Sequence, residues 1–437
     1  MSEYGTGCCR KAVLINVENW YLYTVAPPAE YKRRIVDSRL RDLFSELPAL
    51  MVTGPRATGK TTTAERLARA VVHLDRPAEA VAFEADPDAA LAASEEPVLL
   101  DEWQEVPGVL GAVKRAVDRD ARSGRFLLTG SVRADLESMT WPGTGRIVRV
   151  PMYGLTIGEL EGRPTAGHFI DRFAAGEAPP LPQQRPDLPG YIELALLGGF
   201  PEPAIRLTAQ ARMAWLDSYV DQVVTRDAPA IGAVRDPALL RRYFETYALN
   251  TAGIVADSTI FEAAGINRRT ADSYERLLTN MFLIEAVPSW TTNRLQRLSS
   301  RPKRYLIDAA LATSLIRVDR TAVLRNGDLM GRILDTFVSS QLRPEIAVAT
   351  TRPRIYHLRE EHGRHEIDLM AELGGGTVLA FEIKASSAPR AHDARHLVWL
   401  RDRLGERFTR GAVLHTGTRI YELGERILAL PICALWG

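Results

Sequence analysis

Residues 49–62 read ALMVTGPRATGKTT, and this stretch decides the fold. Its apolar start predicts a short buried strand. Residues 54–61 complete the pattern G-x-x-x-x-G-K-[ST], in which glycines let the backbone curl so that its N–H groups point at phosphate oxygens. Leu67, Ala70 and Val71 then fall at helical spacing, so we expect a following helix that directs its positive end at the anion.

This loop predicts a nucleotide site, with ATP as the nucleotide and Mg²⁺ as its metal. Lys60 would reach the β- and γ-phosphates, and the Thr61 hydroxyl would bind Mg²⁺. The loop residues that we expect to contact the nucleotide are Gly54, Pro55, Arg56, Ala57, Thr58, Gly59, Lys60, Thr61 and Thr62.

A second predicted strand supplies acidic residues. Residues 97–106 read PVLLDEWQEV, an apolar run that ends in two acids. Asp101 at the strand end would hold the nucleotide's Mg²⁺, and Glu102 would be the catalytic base that polarises water. The alternative is an ordinary strand that ends at the surface.

A third strand, RFLLTGSVR at 125–133, ends in polar residues, and Thr129 or Ser131 would sense the γ-phosphate. Arg146 is a candidate catalytic arginine that stabilises charge, in its own chain or on a neighbour; the alternative is a solvated surface arginine. Strands that alternate with helices predict an α/β fold with a parallel sheet and a ligand site at the carboxyl ends of its strands.

Composition excludes several classes of protein. The chain has 55 basic and 54 acidic residues and a net charge of +1, so neither a basic nucleic-acid tail nor an acidic tail dominates. Its three cysteines, Cys8, Cys9 and Cys433, do not have the spacing of a disulfide framework or a zinc site. No apolar run approaches the roughly 18–20 residues of a membrane span. We expect a cytoplasmic protein without a signal peptide or membrane contact.

These motifs, in this order, resemble an AAA-type ATPase that is fused in bacteria and archaea to a domain of unknown function. Further stretches that carry the resemblance are YKRRIVDSRLRDLF (31–44), GRIVRVPMYGLTIGEL (145–160), LGGFPEP (197–203), YVDQVVTRD (219–227), PKRYLIDAALA (302–312), GRILDTFVSSQL (331–342) and LPICALW (430–436). The resemblance implies a P-loop parallel-sheet domain, a helical or winged-helix middle, and an α/β restriction-endonuclease-like C-terminal domain.

The resemblance, together with the positions of proline and glycine, gives the expected domain boundaries. A Pro- and Gly-rich stretch predicts a linker before the helical region. The expected parts are a leader at 1–30, the ATPase domain at 31–165, the linker at 166–190, the helical region with a winged helix-turn-helix at 191–305, and the nuclease-like domain at 306–437.

Residues 366–384, EIDLMAELGGGTVLAFEIK, predict a hairpin that turns about Gly375. Its register would place apolar residues face to face on a buried side, and would place Asp368 opposite Glu382 on the other side, together with Lys384. The predicted apolar pairs are Ile367 with Ile383, Leu369 with Phe381, and Ala371 with Leu379. A preceding amphipathic helix would bury Ile333, Leu334, Phe337, Val338 and Leu342.

Two close carboxylates repel each other unless a cation lies between them, and a nearby ammonium can hold an attacking water. The set resembles the Asp…Glu-x-Lys centre of the PD-(D/E)xK nucleases. That resemblance implies Asp335, Asp368 and Glu382 as Mg²⁺ ligands and Lys384 as a catalytic residue, although relatives usually carry Glu in place of Asp335. Alternatively, each acid pairs with Lys or Arg. Retained cleavage and an inactive binding domain both remain open.

Residues 257–287, DSTIFEAAGINRRTADSYERLLTNMFLIEAV, predict a helix, a turn at Gly265, a second helix capped by Asn267, and a strand. This order is typical of a winged helix-turn-helix whose second helix enters the major groove of DNA. The basic stretch 289–305 would form the wing. A protein-binding or purely structural winged helix is the alternative. The residues expected on the exposed face are Arg268, Arg269, Asp272, Ser273 and Arg276, and those on the buried face are Ile266, Ala271, Tyr274, Leu277 and Leu278.

Two functions remain after the sequence analysis. The first is an ATP-binding and ATP-hydrolysing protein that acts on DNA through the winged helix and the nuclease-like domain. A homo-oligomer is compatible with this function. The alternative is a nucleotide-dependent signalling switch whose C-terminal half is a catalytically inactive protein-binding module.

Overall fold

The structure is a computed structural model of the chain. The leader at 1–30 and part of the proposed wing lie outside the residues that it describes. No described helix combines the length and the apolar character that crossing a bilayer requires. The described residues are 31–132, 143–163, 169–232, 236–292, 297, 300–360 and 364–437.

The described N-terminal part is built on a parallel sheet whose strands are β1 Ala49–Thr53, β2 Ala70–His73, β3 Val98–Asp101, β4 Phe126–Gly130 and β5 Val148–Pro151. The order in space is β2-β3-β4-β1-β5. Strands β1, β3 and β4 are buried throughout, as their continuous apolar runs require. Because β4 lies between β1 and β3, the carboxyl ends of these three strands meet at one edge.

Helices cover both faces of this sheet. Leu40 and Phe44 of the first helix pack on one face, against Leu50 and Val52. The third, fourth and fifth helices pack on the other face, where alternate strand residues point. The helices of this part are α1 Val36–Glu46, α2 Lys60–Ala64, α3 Pro77–Ala85, α4 Pro87–Ala93 and α5 Gly108–Arg119.

The helix after the glycine loop is shorter than predicted. It continues only as a 3₁₀ turn, Glu65–Leu67, and the helical assignment of Ala70 and Val71 was wrong. These residues lie in β2, where Ala70 pairs with Val98 and Val71 with Leu99. Two adjacent valines fit a pleated surface better than a helix, and pairing with β3 extends the sheet.

The middle of the chain is helical and ends in a two-stranded hairpin. A π-helix, Val223–Asp227, continues directly from the long tenth helix. The hairpin strands are β6 Ile284–Val287 and β7 Lys303–Leu306, which pair antiparallel. The helices are α6 Ile157–Leu160, α7 Phe169–Ala174, α8 Leu188–Leu197, α9 Pro201–Arg206, α10 Ala209–Gln222, α11 Ala228–Ile231, α12 Pro237–Leu249, α13 Asp257–Ala263 and α14 Arg268–Asn280.

The segment predicted as a linker, 166–190, is partly packed into the core. Its helix α7 buries Phe169 and Phe173, whose rings stack with centroids 5.5 Å apart. The Phe173 ring also lies 5.7 Å from that of Phe381 in the C-terminal part. The prolines of this segment indicated a loop, but the apolar residues before them hold the segment in place.

The C-terminal part is a mixed sheet with a long helix beside it. Its elements are α15 Ala309–Leu315, α16 Arg320–Arg325, α17 Gly327–Val348, β8 Arg354–Arg359, β9 Glu366–Glu372, β10 Val378–Lys384, α18 Arg395–Leu404, β11 Phe408–His415, β12 Tyr421–Gly424 and β13 Ile427–Pro431. The six described strands follow the order β12-β13-β11-β10-β9-β8. The predicted apolar face of α17 is confirmed, since all five of its residues are buried.

The predicted hairpin of β9 and β10 is confirmed in its register and corrected at one end. Leu369 pairs with Phe381, and Ala371 with Leu379. Ile367, however, packs with Met370 in the cluster on the opposite face, so it does not face Ile383 as predicted. The strand is irregular here, because its pairing with β8 shifts register nearby. Both faces of the hairpin are buried, not one.

One hydrophobic core runs from the middle helices into the C-terminal sheet. It includes residues from Ile157 to Trp436, among them Tyr247, Leu278 and Phe381. The expected boundary between residues 305 and 306 lies inside this core, since Tyr305 and Leu306 both belong to it.

Candidate functional site

The backbone of the glycine loop takes conformations and makes a close contact that its glycines permit. Gly59 has φ of 87° and Ala57 has φ of 60°, both in the left-handed region. A Cβ atom at Gly54 would lie 2.0 Å from the carbonyl oxygen of Met152, so only glycine fits there. The loop therefore follows β1 in a tight curl, with α2 beginning at Lys60.

Lys60 is buried under the loop, with 5% of its surface exposed. Its Nζ donates a hydrogen bond of 2.8 Å to the carbonyl oxygen of Pro55. Burial lowers the pKa of Lys60 to about 8, although Glu102 and Asp101 act in the opposite direction. The ammonium therefore lies at the loop, beside two acidic groups.

Asp101 and Thr61 meet at the carboxyl end of β3. The Thr61 hydroxyl donates a hydrogen bond of 2.7 Å to Oδ1 of Asp101, and the Thr129 hydroxyl donates to the same oxygen. Nδ1 of His73 lies 3.2 Å from the other carboxylate oxygen. Hydroxyl and carboxylate oxygens are ligands that suit Mg²⁺, so the residues present fit the predicted metal.

Glu102 follows Asp101 in a left-handed conformation, with φ of 52°. Such a conformation is costly for a non-glycine residue and is found often at functional sites. Its carboxylate accepts a hydrogen bond of 3.3 Å from the Ser131 hydroxyl and another from Gln104. The structure thus brings Glu102 and Ser131 together at the edge where the strands end.

Arg56 of the loop has partners that the sequence did not reveal. Its Nε donates to the Ser131 hydroxyl at 3.2 Å, and its NH1 donates to Oδ1 of Asp227 at 2.9 Å. Asp227 is 8% exposed and ends the π-helix, a distortion that is frequent at functional sites. Asp227 belongs to no phosphate-binding motif, so no signal in the sequence indicated that it would contact the loop.

Arg34 braces the same loop from the other side and was also missed. The buried guanidinium donates to Oε1 of Glu159 at 3.1 Å, to the Thr58 carbonyl at 2.9 Å and to the Tyr153 carbonyl at 2.7 Å. Glu159 also accepts the N–H of Ile35 at 2.7 Å. These contacts join the segment before β1, the loop, and the segment after β5.

Two cavities lie in this region, one beside the end of α2 and the other beside the loop itself. One, of about 330 Å³, is lined by residues before and within α1 and by Thr63, Arg66 and Leu67 after the loop. The other, of about 530 Å³, lies beside Arg56 and Glu102. The remaining residues that line the second cavity are Ala57, Asp75, Glu105, Trp215, Ser218, Tyr219, Gln222, Arg226 and Asp227.

Arg146 is not brought to the loop of its own chain. It precedes β5, and its Nε pairs with Oδ1 of Asp118 near the end of α5 at 2.7 Å. Because α5 runs back from the carboxyl end of β3, Asp118 and Arg146 lie toward the opposite edge of the sheet. A role for Arg146 on a neighbouring chain stays a prediction.

The predicted C-terminal metal ligands surround a lysine. Nζ of Lys303 lies 2.5 Å from Oδ2 of Asp335 and 3.0 Å from Oδ1 of Asp368. The Tyr305 hydroxyl donates to the other oxygen of Asp335 at 2.9 Å. Burial would lower the pKa of Lys303, but Asp335 and Asp368 outweigh it and hold that pKa well above its usual value. The lysine is therefore charged.

Glu382 and Lys384 complete this centre. Nζ of Lys384 donates to Oε2 of Glu382 at 3.1 Å, whereas Oε1 of Glu382 has no hydrogen-bond partner among the described residues. Burial, with a contribution from Asp368, raises the pKa of Glu382 to about 8. Asp368 also accepts the N–H of Ile383 at 2.9 Å.

The predicted Mg²⁺ set of Asp335, Asp368 and Glu382 does not fit this arrangement. The described residues contain no group of three or more acidic, histidine or cysteine side chains that would hold a metal ion. Lys303 lies where a bridging cation was predicted, because β7 inserts it between Asp335 and Asp368. The sequence placed Lys303 next to the C-terminal domain without indicating this contact.

The surface of α14 agrees with its predicted pattern. Asn267 caps the helix by accepting the N–H of Thr270 at 2.9 Å. Its buried residues are Ala271, Tyr274, Leu277 and Leu278, and Ile266 is half-buried. Of the residues predicted on the exposed face, Arg268, Arg269, Asp272 and Arg276 are exposed and Ser273 is half-buried.

Comparisons with known proteins match three parts of the chain. Residues 46–161 match an AAA domain, 188–322 match a domain of unknown function (DUF8612), and 330–435 match another (DUF4143). Uncharacterized proteins of Mycobacterium tuberculosis and Mycobacterium bovis are each 26% identical to the chain over 406 residues, which cover 92% of it and 83% of the relative.

A Walker-type ATPase of Pyrococcus abyssi is a structural neighbour at 14% identity and a TM-score of 0.42, covering 66% of this chain and 96% of its own. The AAA match confirms the ATPase-like part of the prediction around the glycine loop. The winged-helix and nuclease-like assignments stay predictions.

Proposed function

We propose that the chain binds ATP with Mg²⁺ and hydrolyses it. The observation that carries this proposal is the 2.7 Å contact between Thr61 and Asp101 beside a complete phosphate-binding loop. The backbone N–H groups of the loop bind the phosphates, and Lys60 exchanges its contact with the Pro55 carbonyl for phosphate oxygens. The 330 Å³ cavity beside Thr63 receives the nucleoside.

Mg²⁺, held by Thr61 and Asp101, would neutralise phosphate charge when bound. Glu102 accepts a proton from the attacking water, and Ser131 holds that carboxylate in place. Arg56, which bonds Ser131, supplies positive charge on the γ-phosphate side. Each step therefore uses a side chain at the edge where β1, β3 and β4 end.

The first experiment measures ATP affinity and phosphate release by the purified full chain with Mg²⁺. Lys60→Ala should abolish tight binding, since it removes a phosphate contact that a buried ammonium makes. Lys114→Ala is the matched control, because Lys114 is a surface lysine of α5 that pairs with Asp118. Wild-type protein that binds neither ATP nor ADP would contradict the proposal.

We propose further that α14 binds DNA. Its exposed face carries three arginines, and the helix stands second in a helix pair before the β6–β7 hairpin. On its inner side, Arg304 of β7 contacts Asp257 and Glu275, so the hairpin holds both helices. The exposed arginines therefore have no structural task in holding the helices together.

The DNA proposal is tested by the anisotropy of a labelled duplex over a range of salt concentrations. Arg269→Ala and Arg276→Ala together should weaken binding and reduce the slope of log affinity against log salt by roughly one for each phosphate that is no longer neutralised. Arg206→Ala, at an exposed arginine of α9 that pairs with Glu202, is the control. Absence of binding at low salt would refute the proposal.

A further inference from the structure

We propose that Lys303 is a permanent internal cation that closes the C-terminal centre to divalent metal, so that this domain acts without metal-dependent phosphodiester cleavage. The inference concerns Asp335, Asp368 and Glu382, and it is independent of the ATP site. It rests on the hydrogen bonds that Lys303 and Tyr305 of the hairpin strand β7 donate to these carboxylates.

The ammonium of Lys303 is saturated by its surroundings. It carries three N–H donors, and it has three acceptors: Oδ2 of Asp335 at 2.5 Å, Oδ1 of Asp368 at 3.0 Å and the Asp368 carbonyl at 3.4 Å. With 2% of its surface exposed, the side chain has no room to turn toward solvent. The two aspartates are thus already bridged by a positive charge.

Both carboxylate oxygens of Asp335 accept a hydrogen bond from β7. Lys303 takes one carboxylate oxygen, and the Tyr305 hydroxyl takes the other at 2.9 Å. Both donors come from β7, two residues apart and therefore on the same side of the strand. Asp368 likewise gives its second oxygen to the backbone N–H of Ile383.

A divalent ion at this place would meet strong repulsion. It would lie within a few ångströms of Lys303, and Lys384 adds a second ammonium beside Glu382. Lys303 and Lys384 already supply two positive charges to these three carboxylates, so little negative charge remains to attract a metal. Of the three acids, only Glu382 has a carboxyl oxygen without a hydrogen-bond partner among the described residues, and one oxygen does not make a metal site.

β7 is anchored independently of the acids. Lys303 pairs with Val287 across the hairpin, and Arg304 donates to the Val255 carbonyl at 2.8 Å. The cation thus comes from the middle of the chain and is inserted into the C-terminal sheet. Metal entry would require β7 to leave the shared core to which Tyr305 and Leu306 belong.

The experiment measures Mn²⁺ binding to the nucleotide-free full chain by electron paramagnetic resonance. We expect Lys303→Met to gain one Mn²⁺ site that the wild type lacks. Mn²⁺ should bind at that site at least tenfold more tightly than at any weak site that the wild type shows outside the ATP site. The added change Asp368→Asn should remove the new site. Lys114→Met, a surface change, should gain nothing, and any Mn²⁺ at the ATP site is common to all variants. A folded Lys303→Met protein that gains no site would overturn the proposal.

A second measurement needs no variant. The chain has only six lysines, so ¹⁵N-lysine labelling gives few Nζ signals to resolve. Millimolar Mn²⁺ should leave the signals of Lys303 and Lys384 unbroadened in the wild type. Broadening of both, or Mn²⁺-dependent DNA cleavage that Asp368→Asn abolishes, would show that metal enters the centre and would overturn the proposal.

Discussion

Arg56 of the phosphate loop donates a hydrogen bond to Asp227 of the π-helix, 2.9 Å away in space and 171 residues away in sequence. The same guanidinium bonds Ser131, which in turn bonds Glu102. The loop, the edge of the sheet where β3 and β4 end, and the helical middle are therefore connected by consecutive contacts. An anion that bound to Arg56, as we propose for the γ-phosphate, would compete with Asp227.

Asp227→Asn should raise the affinity for ATP relative to ADP by roughly two- to fivefold, because the γ-phosphate no longer competes with a carboxylate for Arg56. The measurement is the ratio of the two dissociation constants at fixed Mg²⁺. Asp221→Asn is the control, since Asp221 lies on α10 and pairs with Arg241 at the surface. An unchanged ratio for Asp227→Asn would show that Arg56 does not face the γ-phosphate.

Glu102→Gln should leave ATP binding nearly intact and lower the rate of hydrolysis by roughly 10²- to 10⁴-fold, since the amide cannot accept a proton from water. Single-turnover phosphate release, at enzyme in excess over ATP, gives this rate directly. Glu105→Gln lines the same cavity and should hydrolyse ATP at the wild-type rate. Equal rates for both variants would remove Glu102 from the role of base.

Phe173→Ala should lower the free energy of unfolding by about 3–5 kcal/mol, because it removes a fully buried ring that stacks on Phe169 and contacts Phe381. Denaturant unfolding followed by tryptophan fluorescence measures the loss. A loose linker would show almost no change at this position. Val81→Ala, at an exposed residue of α3, provides the comparison.

Stability should fall as pH rises from about 4.5 to about 8, in part through Glu345. Burial raises the pKa of Glu345 to about 8 from an ordinary value of 4.5, so the folded state holds a proton that the unfolded state releases. The contribution is complete below about pH 4.5 and is lost as pH rises toward 8, with a slope of at most about 1.4 kcal/mol per pH unit.

Glu345→Gln should flatten this dependence, because the amide resembles the protonated acid and keeps an acceptor for the N–H of Phe169. Thermal unfolding at several pH values between 5 and 8.5 measures it. Glu406→Gln, at an exposed position, should keep the wild-type slope. If Glu345→Gln also keeps that slope, Glu345 is ionised in the folded state at neutral pH.

Much of the proposed ATP site could be predicted from local sequence. A phosphate loop, an apolar strand that ends in Asp101 and Glu102, and a strand that ends near Ser131 each carry their pattern within ten residues. Parallel pairing then brings them to one edge, so the contacts among Thr61, Asp101 and Thr129 were foreseeable as proximity. The hairpin register was foreseeable for the same reason, since turn and alternation fix it.

The contacts that the sequence did not reveal join distant segments. Asp227 reaches Arg56 only because the middle helices pack beside the loop, and Lys303 reaches Asp335 only because β7 lies against the C-terminal sheet. No periodicity encodes such contacts. β2 was missed for another reason: four residues are too few to distinguish a strand from the last turn of a helix, and pairing with β3 decided the outcome.

The shared core that runs from Ile157 to Trp436 has a practical consequence for dividing the chain. A fragment that ended near residue 305 would expose half of a packed interior and would be prone to aggregate. A cut shortly before Ile157 would not release an independent part either, because Val348 packs in the cluster on one face of the sheet and Glu159 holds Arg34 at the loop. The residues from Arg33 to Gly437 form one compact unit, so the full chain is the right material for each of these experiments.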